Sequence, residues 1–285
     1  MGERPENHQK IKTMNDSEKL PAYFVPHGGG PWHVMDDAFG DPEGYGKLKK
    51  YLEDLGKKYK DRINAVLVIS GHWEEPVPTI YSSESPALFY DYYGFPEFTY
   101  KLQWPAKGDA GLALQVEKLL KTSGFRTDMD DKRGYDHGTF VPMMVAFPDV
   151  NVPVVQLSLI KGLNPQTHIK MGKALEPLRK EGVLIIGSGM SYHNMQGFMS
   201  GSSSVVLVSK HFDDWLTQSV EKNNAYERNE LLINWEKAPM ARDSHPRSEH
   251  LIPLFVAAGA AGNDTAIRDY SGLLMSINIS GYKFG

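Results

Sequence analysis

Cysteine is missing from this 285-residue chain. Disulfides, thiolate metal ligands and cysteine nucleophiles are thereby excluded, so any metal must be held by His, Asp or Glu. Such ligands suit Fe(II), Zn(II) or Mn(II) and disfavour Cu(I) and iron–sulfur clusters. Long apolar runs are also lacking, and none approaches the roughly 20 residues that span a bilayer. Positive charge is not in excess either. Lys and Arg number 31 against 35 Asp and Glu, a formal charge of -4, which argues against nucleic acid or an anionic membrane as the main partner. The stretch Met1 to His8 has no apolar signal region, and the expected location is cytoplasmic.

What remains is an ordinary globular composition, 41% hydrophobic and 23% charged. Residues 1–19 are polar and aperiodic and read as a mobile tail, leaving 20–285 as one catalytic domain. Short apolar runs at 22–26, 64–70, 77–82, 153–159, 183–188 and 273–279 read as strands, several of them buried on both faces. Helical spacing recurs through Leu48, Tyr51, Leu52, Leu55 and Tyr59 and through Leu112, Leu114, Val116, Leu119 and Leu120. Further helices are expected at 167–181, 203–222, 225–236 and 249–260, with another starting near Phe140 and carrying Pro142 in its first turn. The alternation predicts a single α/β domain with a mostly parallel central sheet flanked by helices.

Three of the ten histidines follow apolar runs beside glycine-bearing turns. His27 opens His27-Gly28-Gly29-Gly30, His72 lies in Ser70-Gly71-His72-Trp73-Glu74, and His193 follows Gly187-Ser188-Gly189 by four residues. Loops leaving the carboxyl ends of parallel strands converge on one crevice, so three imidazoles delivered there suggest a metal site or an acid/base centre. The plainer reading of each alone is a turn histidine satisfied by backbone. His137, in Asp136-His137-Gly138-Thr139, reads either as a proton-exchanging imidazole at a helix N-terminus or as a bystander beside a capping Asp136. In Ser244-His245-Pro246-Arg247-Ser248-Glu249-His250, Ser248 is the expected N-cap, which places Glu249 and His250 in the first helical turn. Either could ligate a metal, and Glu249 could equally complement the helix dipole. His8, His33, His168 and His211 read as structural or exposed. Trp73, Tyr92, Tyr93, Phe95 and Tyr192 are candidates to wall a pocket. His27-Gly28-Gly29-Gly30 also matches an oxyanion-hole loop of α/β-hydrolases, but that fold needs G-x-S-x-G, and no such sequence occurs.

With these residues in view, the chain from about 21 to 262 resembles the class III extradiol ring-cleaving dioxygenases of the DOPA 4,5-dioxygenase type. The similarity runs through His27-Gly28-Gly29, Ser70-Gly71-His72-Trp73, Asp91-Tyr92-Tyr93-Gly94-Phe95-Pro96, Gly134-Tyr135-Asp136-His137-Gly138, Pro153 to Leu159, Gly187-Ser188-Gly189 with His193-Asn194, and Glu249-His250 with Pro253-Leu254. The resemblance implies a non-haem Fe(II) enzyme, often isolated with Zn(II), that opens a catechol ring next to its hydroxyls with both atoms of O2. It implies His27, His72 and His250 as metal ligands, His193 as acid/base and His137 as a proton-transferring or substrate-contacting residue, with Tyr192 and His245 expected at the substrate. Two departures stand out. His27 is followed by three glycines where the family's first block usually reads His-Gly-Ser, and the wider superfamily uses a carboxylate as third ligand, which keeps both Glu249 and His250 open. The implied partners are a small catechol and O2, with the chain a monomer or small homo-oligomer. A zinc-dependent hydrolase and a non-catalytic binding protein on the same scaffold are the alternatives.

Overall fold

The computed structural model describes residues 19–285. The expected tail, residues 1–19, lies outside the described residues apart from Lys19. The strands are β1 (Ala22–Pro26), β2 (Ala65–Glu75), β3 (Thr79–Tyr81), β4 (Asp128–Asp130), β5 (Val154–Ile160), β6 (Val183–Gly189), β7 (Ala266–Leu274) and β8 (Ile277–Phe284). Among the described residues they form one sheet in the order β4-β3-β5-β2-β6-β1-β8-β7. Its centre, β5-β2-β6-β1, is entirely parallel, while β8 and β7 add an antiparallel edge. The helices are α1 (Pro42–Tyr59), α2 (Ala110–Thr122), α3 (His137–Ala146), α4 (Pro165–Leu175), α5 (Met195–Ser200), α6 (Ser203–Val220), α7 (Ala225–Ile233), α8 (Ala241–Ser244) and α9 (Ile252–Ala260).

Alternate residues of the central strands supply two cores, one on each face of the sheet. Phe24, Leu67, Ile69, Leu157 and Ile185 pack with Leu175, Phe212 and Leu254 from α4, α6 and α9. Tyr23, Val25, Val68, Leu184 and Ile186 pack with Leu48 and Leu52 of α1 and Phe140 and Met143 of α3. Burial on both faces explains why these strands read as continuous apolar runs rather than alternating ones. Helix starts follow capping chemistry: Asp41, Asp109 and Asn164 each accept a backbone N–H three residues on.

Four expectations are corrected. Residues 273–279 are not one strand but the turn of a hairpin: Met275 and Ser276 adopt φ of +50° and +68° between β7 and β8. Met-Ser carries no turn signature; the Met275 N–H instead donates to Asp41 Oδ2 at 2.7 Å. The helix expected from 249 starts at Ile252, and the Ser248 carbonyl, not its side chain, accepts the N–H groups of Leu251 and Ile252. The expected helices 167–181 and 225–236 each break early, at Leu175 and Ile233, before short 3₁₀ turns. Finally, α3 begins at His137, so Pro142 stands inside it. Proline offers no N–H to the carbonyl four residues back, and the hydroxyl of Ser188 on β6 donates to that Gly138 carbonyl instead. This bond ties the start of α3 to the carboxyl end of the sheet, where the histidines gather.

Candidate metal centre

Each histidine of interest is delivered by a separate element. His27 directly follows β1, and its N–H donates to the Gly189 carbonyl at 3.1 Å. His72 lies within β2, where pairing with β5 slips between Ile69 and Glu74; such a bulge redirects a side chain out of the pleat. Arg133 donates to the His72 carbonyl at 3.0 Å and to Asp136 Oδ2 at 3.0 Å, bracing the bulge from below. Asp136 caps α3 through the Thr139 N–H and also accepts from Ser70 at 2.7 Å. His137 therefore enters on the first turn of α3. His250 sits on the turn before α9, which docks against β6 through a 3.0 Å bond from the Met190 N–H to the His250 carbonyl. Only a glycine permits that docking, because a Cβ on Gly189 would lie 2.1 Å from the same carbonyl oxygen. His193 follows on the loop after β6, its N–H held by the Ser244 carbonyl.

The five rings converge. Centroid separations are 4.9 Å for His27–His72, 5.1 Å for His27–His250, 4.6 Å for His72–His250 and 3.9 Å for His72–His137. His193 stacks on His250 at 3.4 Å. One ligand atom from each of His27, His72 and His250 lies within 4.8 Å of the others. His27 donates Nδ1–H to its neighbour's carbonyl at 2.7 Å, which leaves Nε2 buried and without a partner. The Nε2 atoms of His72 and His250 face each other at 3.0 Å. Two nitrogens about 2.1 Å from one ion and at right angles across it would lie roughly 3.0 Å apart. These residues fit a divalent metal. Burial, reinforced by the neighbouring imidazoles, holds the pKa of all three well below the usual histidine range, so they are neutral lone-pair donors at physiological pH.

Carboxylates orient the rings from behind. Asp91 Oδ1 takes both the backbone N–H and Nδ1–H of His137, at 2.9 and 2.8 Å, while its Oδ2 lies 3.4 Å from His72 Nδ1. Asp91 and Arg133 received no role in the sequence reading; for Asp91 the sole signal is its place at the head of the Asp91-Tyr92-Tyr93-Gly94 block. Burial alone would raise the Glu249 carboxyl, but hydrogen bonding with His193 and the nearby Arg247 outweigh it and hold the group below its usual range.

The expected pocket wall is met in part. The Tyr92 ring meets His137 edge-on at 5.9 Å, and Phe95 lies over Gly30 where a Cβ would come within 2.8 Å of its ring. Phe39, which sequence reasoning missed, packs edge-to-face on Phe95. Tyr93 points into solvent at 90% exposure. Trp73, one residue from His72 and hence on the opposite side of the strand, is buried under the Arg133 guanidinium. Tyr192 and His245, expected at the substrate, lie within the protein. Tyr192 packs edge-on against Phe198, and His245 sits between Phe212 and Trp235 with Nε2 donating to the Ser191 carbonyl at 2.9 Å. Ser191 takes the Ser280 N–H on its hydroxyl at 2.8 Å and the His245 ring on its carbonyl, while His193, two residues on, reaches the rings of the crevice.

Imidazoles gathered at the carboxyl edge of a parallel sheet, beside an aromatic wall, define a metal-dependent enzyme of the α/β class. The chain belongs to the family described as the catalytic LigB subunit of aromatic ring-opening dioxygenase, whose model matches residues 21–279. It is 38% identical over 268 residues to the 4,5-DOPA dioxygenase extradiol of Beta vulgaris, covering 92% of this chain and 95% of the relative. It is 34% identical over 280 residues to the dioxygenase tasH of Hapsidospora irregularis, covering 93% and 85%. A crystal structure of an uncharacterized protein, JW3007, from Escherichia coli K12 superposes with a TM-score of 0.76 at 25% identity, over 94% of this chain and 100% of that one. The protein is an extradiol ring-cleaving dioxygenase.

Proposed function

We propose that the chain binds one Fe(II) through the Nε2 atoms of His27, His72 and His250 and opens a catechol ring beside its two hydroxyls. The observation that carries this reading is the buried, unpartnered Nε2 of His27 beside the facing Nε2 atoms of His72 and His250. Zn(II) is the expected replacement after isolation, since neutral imidazoles accept either ion. When bound, the metal acidifies the substrate hydroxyls and gathers catechol and O2 in one place.

The protein's own groups handle the protons. His193 Nδ1 faces Glu249, so Nε2 is the nitrogen free to take a proton from the second hydroxyl and to return it as the ring opens. His137, with Nδ1 on Asp91, has its Nε2 free to contact a hydroxyl or to relay a proton. Tyr92, Phe95 and Phe39 form an aromatic wall on one side. On this reading Tyr192 and His245 brace the loop that carries His193 instead of touching substrate. The names of several relatives, 4,5-DOPA dioxygenase extradiol, support DOPA as the first catechol to try.

The test is an oxygen-electrode screen of catechols, DOPA included, with protein reconstituted with Fe(II) without air. The expected result is one O2 consumed per ring opened, with no hydrogen peroxide released. Oxygen uptake equal to the protein-free control for every catechol would overturn the reading.

A further inference from the structure

Glu249 is the residue whose place the sequence left open, as a third metal ligand or as a complement to the α9 dipole. Its geometry matches neither a ligand to an ion held by the Nε2 atoms of His27, His72 and His250 nor a complement to the helix. The helix begins three residues later, at Ile252, and the carboxylate turns away from it toward the histidines. Its Oε1 lies 2.9 Å from His250 Nδ1 and 3.2 Å from His193 Nδ1. A ligand would have to meet the ion on the Nε2 side of His250, whereas Glu249 stands at the opposite edge of that ring. Its Oε2 lies 3.4 Å from Arg247 Nη1, and Arg247 is in turn held by Glu74 at 2.6 Å.

We propose that Glu249 is a positioning residue: one carboxylate oxygen accepts Nδ1–H from both His250 and His193 and clamps the two rings as a parallel pair. The ring planes are 16° from parallel, with centroids 3.4 Å apart. Two neutral imidazoles have no strong reason to stack face to face, because the negative faces of aromatic rings repel in that arrangement. A shared anionic acceptor supplies the reason. It also fixes both tautomers, because a proton held at Nδ1 leaves the Nε2 lone pair free. The same oxygen thus aims His250 Nε2 at the metal and leaves His193 Nε2 as the basic nitrogen, so that ligand and base move as one unit. Arg247, itself bonded to Glu74, places its positive charge 3.4 Å from the far oxygen, which makes no hydrogen bond of its own.

The proposal rests on the reading of His250 as ligand and His193 as proton carrier, and its test separates the two. The variants are Glu249→Gln, which is isosteric and keeps one acceptor oxygen, and Glu249→Ala. Zn(II)-loaded protein, which is diamagnetic, is examined by 15N NMR of its histidine rings with no catechol present. The Fe(II) protein is assayed in parallel for metal content, kcat and KM. Wild type should show His193 with its proton on Nδ1, and Glu249→Ala should lose that preference while retaining metal. In kcat, Glu249→Ala should fall by about 100-fold and Glu249→Gln by about tenfold, with KM changing less than threefold. An unchanged His193 tautomer in both variants, or metal loss in both as complete as in His27→Ala, would overturn the proposal. If wild type opens no catechol yet the tautomer shifts as stated, the clamp stands and the proposed activity falls.

Discussion

His168 offers a stability test that does not pass through the active site. It lies fully buried on α4, where Nδ1 donates to the Asn164 carbonyl at 2.7 Å and Nε2 accepts the Ile160 N–H at 3.0 Å. The Nε2 acceptor bond requires the neutral ring, whereas the Nδ1 donor bond survives protonation. Burial pushes its pKa down to about 4, only partly opposed by the Asn164 bond. In the unfolded chain the ordinary histidine value near 6.5 returns, so the unfolded state binds more protons between pH 6.5 and 4. A folded pKa below the unfolded one means that the stabilisation is complete above about pH 6.5 and drains away as pH falls toward 4. Between pH 7.5 and pH 4.5 the loss from this one group is about 2.5 kcal/mol. His168→Gln removes the titration. At pH 7.5 it should be less stable than the parent by about 2–4 kcal/mol, from a buried N–H left unpaired and imperfect packing. At pH 4.5 that gap should shrink by about 2.5 kcal/mol, because only the parent has lost the contribution. Urea unfolding of both metal-free proteins at the two pH values measures it, and the other buried histidines cancel in the difference. A gap constant to within about 0.5 kcal/mol would refute the assignment of His168 as a neutral, doubly bonded ring.

Two further outcomes are expected. The buried Arg179 guanidinium joins the Leu20, Ala260 and Phe284 carbonyls to Asp264, so Arg179→Met should cost about 3–5 kcal/mol in urea unfolding; a loss under about 1 kcal/mol would show that these ties contribute little. Gly189→Ala puts a Cβ 2.1 Å from the His250 carbonyl oxygen, so the turn bearing His250 must shift: stability should fall by about 1–3 kcal/mol and Zn(II) affinity by tenfold or more in competition titration, whereas unaltered affinity would detach the docking of this turn from the metal site.

Much of the architecture was legible because burial writes itself into sequence. The parallel centre shows as the apolar runs at 22–26, 64–70, 153–159 and 183–188; His27 and His193 follow strand ends as expected, whereas His72 lies inside β2 and is turned toward the site at a bulge. What the sequence concealed was set by tertiary contacts. The β7–β8 hairpin turns on Met275-Ser276, residues with no turn preference, and β7 is half exposed, so no apolar run marks it. The late start of α9 depends on the Met190–His250 bond, and the early start of α3 on Asp136 and on the Ser188 hydroxyl that relieves Pro142. Nothing local in the sequence reveals that the Asp91 carboxylate will reach His137 from 46 residues away. Nor does sequence proximity to a site reveal which way a ring points: His245 lies with its ring between Phe212 and Trp235.

The division of labour between metal and base is the central claim, and one paired measurement reaches it. His27→Ala and His193→Ala are reconstituted with Fe(II), and metal content by elemental analysis is read beside catechol-dependent oxygen uptake. His27→Ala should lose metal and turnover together, because it vacates a ligand position. His193→Ala should keep its metal and lose turnover by roughly 10²–10⁴-fold, the range for removing a general acid–base group. Equal metal loss in the two variants would make His193 a ligand and contradict the account.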